Sequence, residues 1–372
     1  MVYTDLQTLR GLDKAVDYGS GVEYADGLLE SIFPEQHVGL QIGLWLNGTA
    51  GCNDINSGLL DANVRKLVQY LSDSKASQIF LRLGYEFDNP SFGYSDNPDS
   101  YKRAFVKLVD ACRRLSDCRN KVNFVWHSWA ARRNGVLEDY YPGNQYVDWI
   151  GVSIFDHFFP WSKGEGRPED IVEVLEFANA RGKPTMIAES TPFGGIDLDV
   201  EITEQYDLMD PWDRWFQPIL DLIDEYDVAM WSYINCDWES QPMWRSVGFG
   251  ETRLSTNKHI MKKWHDKILH GDRPFLMAGS LIECASQQSD SAHGLQGARL
   301  VETSALGSIG TDVRFDTVLA LFLLAAALSV LYFWRRERLP PRQEIEKQRE
   351  AHELIHLIRY GSMSPVGTAA LK

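Results

Sequence analysis

The chain is short of the residues that metal and redox chemistry use. It has 372 residues but only five cysteines, Cys52, Cys112, Cys118, Cys236 and Cys284. None forms a CxxC pair or stands beside His at zinc-ligand spacing, so a metal site is not expected. Cys112 and Cys118 are placed to close a small loop in an oxidising compartment, or to remain buried thiols, and the odd count leaves at least one cysteine unpaired. No GxGxxG or phosphate-binding loop follows any apolar run, which weakens a nucleotide-binding reading. Positive charge is scarce as well, with 37 Lys and Arg against 52 Asp and Glu, a net charge of −15. From Arg335 onward there are 8 basic against 5 acidic residues, so residues 1–334 carry 29 against 47, a net −18. That balance argues against a nucleic-acid partner and leaves neutral polymers open.

Aromatic residues are missing between Phe275 and Phe315, where Ser, Gly, Ala and Gln dominate. Residues 276–316 therefore read as a flexible stalk. A long uncharged run comes only afterwards, as "TVLALFLLAAALSVLYFW" from Thr317 to Trp334. As a helix it is about 27 Å long, close to one bilayer core. Tyr332 and Trp334 end it and "RRERLPPR" follows, which favours a cytoplasmic tail at 335–372. Residues 1–275 are then expected on the extracellular or lumenal side, where the single glycosylation sequon at Asn47 is compatible. No signal peptide precedes "MVYTDLQTLRGL". Either the span directs insertion, or the sequence begins inside a longer protein.

What the chain does have is a large core: 44% hydrophobic residues, 12% aromatic, with 12 Trp. Indoles fill cores and also stack on sugar rings. Up to about residue 270, short apolar runs alternate with amphipathic stretches. Strands are predicted at 37–46, 78–87, 122–129, 147–155, 184–190 and 228–235, with "VYT" at the start as the end of another. Helices fall between them; one takes Asn97 as N-cap and Pro98 as first residue, another begins at Pro168. Strand–helix alternation means a parallel sheet, open or closed into a (β/α)8 barrel. Polar residues gather at the strand C-termini, which favours the barrel. Seven strands are visible, so a closed barrel would lack its first strand in this sequence.

Two carboxylates end apolar strands. In "IFLRLGYEF", period-2 alternation groups Phe80, Arg82, Gly84 and Glu86; in "TMIAES" it groups Thr185, Ile187 and Glu189. A glutamate pair across a barrel mouth suits glycoside hydrolysis, one acting as proton donor and one as nucleophile. Arg82, in phase with Glu86, would hold a carboxylate in place and lower its pKa.

The constellation "FLRLGYEF", "YVDWIGVSIF", "MIAES" and "MWSYINCDW" resembles glycoside hydrolase family 26, whose members are retaining (β/α)8 enzymes without cofactor. The resemblance implies Glu86 as acid/base, Glu189 as nucleophile and Trp231 as the floor of a sugar subsite. Two positions depart from the family. Tyr85 stands where His usually precedes the acid/base, and Phe155 stands where a tyrosine hydroxyl would bond the nucleophile. Tyr85, His127, Trp129, Asn235 and Trp238, with Arg82, complete the expected substrate-binding set; Asp156, His157, Tyr94 and Trp45 lie near it. The expected protein is a membrane-anchored endo-β-glycanase acting on β-mannan or a related polysaccharide. The competing reading is a carbohydrate-binding receptor that kept the barrel and lost turnover.

Overall fold

The predicted strands and helices assemble as a single parallel sheet with helices on its outer side. In this computed structural model the described residues are 1–31, 39–133, 135–159, 166–196, 210–271 and 275. The stalk, the span at 317–334 and the tail lie outside them. Among the described residues no helix is long and apolar enough to cross a membrane.

Along the chain come β1 (Val2–Asp5), a hairpin of β2 (Val16–Asp17) and β3 (Val22–Glu23), α1 (Ala25–Ser31), β4 (Gly39–Trp45), α2 (Gly48–Ser57) and α3 (Asp61–Asp73). Then follow β5 (Gln78–Leu83), α4 (Pro98–Arg113), α5 (Ser116–Lys121), β6 (Val122–Ser128), β7 (Trp149–Ile154) and α6 (Pro168–Asn179). The series ends with β8 (Thr185–Ser190), α7 (Gln217–Tyr226), β9 (Met230–Trp231) and α8 (Lys258–Trp264). The large sheet runs β1-β4-β5-β6-β7-β8-β9 with every neighbouring pair parallel. These are the seven strands read from the sequence, and β1 and β9 stand at its two ends. The sheet is curled like part of a barrel wall. Gln41 on β4 spans the concave side, its Nε2 donating to Ala188 O at 2.9 Å and its Oε1 accepting from Ser232 Oγ at 3.0 Å.

Local chemistry explains the elements. The Asn97 side chain accepts from Ser100 N at 3.0 Å and Pro98 opens α4, satisfying an N–H that has no partner within the helix. The stretch before β9, expected as one helix, starts as a π-turn at Trp212–Phe216 before becoming α7. Pro218 lacks the N–H an α-helical ladder needs there. Helix α2, "GTAGCNDINS", was not anticipated, because its Gly, Asn and Ser content is poor in helix propensity. It forms because it must pack closely: a Cβ on Gly51 would stand 1.8 Å from Leu46 O. A disulfide joins Cys112 to Cys118, while Cys52 and Cys236 are free.

The interior of the curl holds its own apolar layer, Val125, Met186 and Ala188 packed with Phe80, Trp149 and Met230. This layer corrects two phase assignments. On β8 the interior residues are Met186 and Ala188, whereas Ile187 packs into the outer core. The register jumps from Val152↔Ile187 to Ser153↔Glu189, leaving Ala188 unopposed. That bulge returns Glu189 to the interior; strict alternation would have grouped it with Ile187. On the other strand, β5 stops at Leu83, and Gly84 and Glu86 adopt φ of +54° and +55°. A left-handed turn, not strand phase, therefore aims Glu86.

Gly43 shows how tight the concave side is. A Cβ there would meet Tyr3 Cδ1 at 2.6 Å and Arg82 Nη2 at 2.8 Å. Gly43→Ala should cost about 1–3 kcal/mol through overpacking, read as a lower urea midpoint; an unchanged midpoint would show that the guanidinium has room to move.

Candidate active site

Arg82 sits fully buried under the C-terminal mouth of the strands. Its Nη1 forms an ion pair with Glu189 Oε1 across the interior, from β5 to β8. The sequence reading had coupled this guanidinium to Glu86 by phase, but the partner is the other glutamate. The same Nη1 lies 3.3 Å from His127 Nδ1. Its carbon sits 5.1 Å from the Tyr3 ring centroid and 5.4 Å from that of Tyr85, two rings that meet edge to face with centroids 5.6 Å apart.

Glu86 is joined to this centre by a chain of contacts. His127 Nε2 lies 3.0 Å from Ser153 Oγ, and Ser153 Oγ donates to Glu86 Oε1 at 2.6 Å. Asn89 Nδ2 reaches Glu86 Oε2 at 3.4 Å. The turn carrying Glu86 is pinned from below by Phe87, which is buried and stacked on Trp126 with centroids 4.3 Å apart. Phe87 N also donates to His127 O at 3.2 Å. Burial first, and the charge of Glu189 second, raise the Glu86 pKa well above the carboxylate range, while the Ser153 hydrogen bond pulls it back. His127 is driven well below the usual histidine value by burial and then by Arg82, so its imidazole is neutral. A carboxyl whose pKa is raised in a dry setting, beside a second one paired with a guanidinium, is an arrangement that can serve as proton donor and nucleophile.

The other expected residues divide. Tyr85 is half-buried beside Tyr3, Trp45 and Phe92, forming an aromatic wall at the ends of β1, β4 and β5. Trp129 is half-buried and stacks on Phe155 at 5.0 Å. His127 is wholly buried and acts beneath the surface, not on its rim. Trp231 corrects the expectation of a sugar floor. Met230 and Ser232 face inward on β9, and Trp231 packs outward against Trp264 at 5.3 Å, with its indole N–H on Ser190 Oγ. Trp238 is buried against Phe249, its N–H on Thr252 Oγ1, and Asn235 accepts from Leu254 N. Both fix the loop after β9. His157 likewise ties loops together, accepting from Phe155 N and bonding Trp129 O.

Sequence reasoning missed Ser153 and Asp88. Ser153 looked like a small strand residue; its only signal was its inward phase on β7. Asp88 binds Ser128 Oγ, Trp129 N and Arg133, locking the loop that carries Glu86 to the loop that carries Trp129. Among the described residues no cluster of His, Cys, Asp and Glu is arranged to hold a metal.

Residues 48–217 match the model of glycosyl hydrolase family 26, a range that includes both glutamates, Arg82, His127 and Ser153. A β-1,3-xylanase (TXYA) from a Vibrio species is 27% identical over 305 residues, covering 74% of this chain and 62% of the relative. A β-1,3-xylanase from an Alcaligenes species is 27% identical over 292 residues, covering 72% and 57%. The chain thus spans about three fifths of the length of these relatives. Among solved structures, a modular endo-β-1,4-mannanase from Cellulomonas fimi matches with TM-score 0.46 at 17% identity, covering 69% of this chain and 58% of that one. A Bacillus subtilis mannanase matches with TM-score 0.44 at 16% identity, covering 74% and 81%.

Two stability predictions follow from the pairing. Arg82→Met leaves the Glu189 charge buried and alone, so it should cost about 3–5 kcal/mol at neutral pH; urea unfolding that matches wild type would refute the pairing. Glu86 has the opposite sign. Its raised pKa means that its contribution is complete below the unfolded carboxylate pKa and is lost as pH rises through the folded value. Glu86→Gln should therefore melt like wild type near pH 4 and increasingly above it toward pH 8. Parallel melting curves across that range would contradict a protonated Glu86.

Proposed function

We propose that this chain is a retaining endo-β-glycanase, with β-1,3-xylan as first substrate and β-mannan as the comparison. The observation that carries the reading is the buried pair itself: Glu189 held by Arg82, and Glu86 kept protonated by burial and by Glu189's charge. The substrate ranking rests on the two relatives named β-1,3-xylanases.

In the first step Glu189 attacks the anomeric carbon, the glycosidic C–O bond breaks, and Glu86 gives its proton to the leaving oxygen. Esterification removes the negative charge that raised the Glu86 pKa, while Arg82 stays and lowers it. Glu86 is thereby readied as the base that takes a proton from the incoming water as the ester is opened. The aromatic wall of Trp45, Tyr85 and Phe92 on one side, and Trp129 with Phe155 on the other, offers ring faces for the flanking sugars.

Membrane attachment belongs to the same proposal. The uncharged run from Thr317 to Trp334 followed by Arg335 and Arg336 supports one span with the glutamates on the extracellular or lumenal side. The Cys112–Cys118 bridge is of the kind that persists in such a compartment. Carbonate washing should leave the full chain in the membrane pellet, and release into the supernatant would exclude the anchor.

The deciding assay is reducing-end release from β-1,3-xylan, β-1,4-xylan, β-mannan and mixed-linkage glucan, with the product anomer followed by proton NMR. Wild type should release β-anomer first, and Glu189→Ala, assayed below the lowered melting transition expected from leaving the buried Arg82 charge unpaired, should lose at least about 10⁴-fold in kcat. Release of the α-anomer first would refute retention. Glycan binding without any product would refute the enzyme and leave the receptor reading.

A further inference from the structure

The contacts between Arg82 and Glu86 run in one direction. An arginine N–H can only donate, so the nitrogen it faces on His127, Nδ1 at 3.3 Å, is an acceptor. A neutral imidazole then carries its proton on Nε2, the atom 3.0 Å from Ser153 Oγ. That hydroxyl accepts from His127 and spends its own proton on Glu86 Oε1 at 2.6 Å. Every donor points from Arg82 toward Glu86. All three polar groups between β5 and β7 are fully buried, so water does not interrupt the series.

We propose that His127 and Ser153 are positioning residues that transmit the polarity of Arg82 to Glu86, occupy its Oε1, and so reserve Oε2 as the oxygen that carries the transferable proton. The proposal rests on the acid/base reading of Glu86 and deepens it. A carboxyl that accepts the short bond from Ser153 at its carbonyl oxygen, Oε1, carries its proton on the other oxygen, Oε2. Among the described residues Oε2 has only Asn89 Nδ2 at 3.4 Å, a weak contact that leaves it free to face a leaving oxygen. The charged and titratable groups around this carboxyl are Arg82 on its own strand, Tyr85 beside it, His127 on β6 and Glu189 on β8. When Glu189 becomes an ester, Arg82 loses its anion, and the relay is the hydrogen-bonded route by which the freed cation stabilises the Glu86 carboxylate. The relay moves no proton along its length: His127 keeps Nε2–H and Ser153 keeps its hydroxyl hydrogen in both steps.

The test begins with the full-length wild type, ¹⁵N-labelled at histidine and ¹³C-labelled at the glutamate carboxyl. His127 should stay the neutral Nε2–H tautomer from pH 5 to pH 8; an Nδ1–H tautomer or an imidazolium would overturn the relay whether or not any variant folds. Ser153→Ala should then raise the Glu86 titration by about one pH unit, since a hydrogen bond to the charged form is lost. The alkaline limb of kcat/KM should rise with it, KM should stay within about twofold, and Ser153→Thr should restore the wild-type limb. An unmoved Glu86 titration in a folded Ser153→Ala protein would refute the proposal. Because that titration is read without substrate, it separates failure of the relay from failure of the glycanase reading, which would show instead as no hydrolysis by wild type.

Discussion

A guanidinium with no access to water governs this structure. Arg82 is wholly buried, and a charge so placed is tolerable only if it is paired and its donors are used. Its partners come from every side of the curl: Glu189 from β8, His127 from β6, and the ring faces of Tyr3 and Tyr85. Among the described residues its Nε has no hydrogen-bond partner, and the two aromatic rings offset part of that cost. Room for the group comes from Gly43, where a Cβ would stand 2.8 Å from Arg82 Nη2. The ion pair joins strands separated by two others, so it braces the curl while fixing Glu189.

Much of this was legible in the sequence, for physical reasons that can be named. Buried parallel strands announce themselves as apolar runs, and Asn97–Pro98 announces the start of α4, because both signals are local. The two glutamates were found by the same route, as charges at the ends of such runs. Their aim was not legible. Glu189 reaches the interior only through the bulge at Ala188, and Glu86 only through the left-handed turn at Gly84–Glu86. Strict alternation reached the right residues and grouped them with the wrong neighbours. Bulges and positive-φ turns depend on what the neighbouring strand and the underlying Phe87 allow, which no period in a single chain records.

The aromatic residues teach a related lesson. Trp231 and Trp238 sit at strand ends where a sugar platform would be expected, yet both have their indole N–H groups bonded within the fold and their faces against other rings. An indole whose donor is satisfied within the fold is a packing unit, whether buried like Trp238 or half-buried like Trp231. Trp45, Tyr85, Phe92 and Trp129 are half-buried as well. Strand position alone does not separate these two groups. The difference lies in which face of β9 points inward, and Ser232 bonded to Gln41 shows that it is the face Trp231 does not share.

The departures at positions 85 and 155 bear on the chemistry through the same centre. Phe155 brings no hydroxyl to Glu189, and its ring is used instead as the stacking partner of Trp129. Orientation of Glu189 then falls to Arg82, whose guanidinium also lies against the ring of Tyr85, the residue at the other departure. The two changes are therefore linked: an arginine that alone must hold the carboxylate gains from a second ring face, and a histidine at position 85 would add a competing donor beside it. Ser153 completes the logic, being small enough to let His127 approach and polar enough to pass its hydrogen bond on to Glu86. One buried cation thus contacts Glu189 directly and Glu86 at two removes, which is why the carboxyls, though carried by distant segments of the chain, behave as one electrostatic unit.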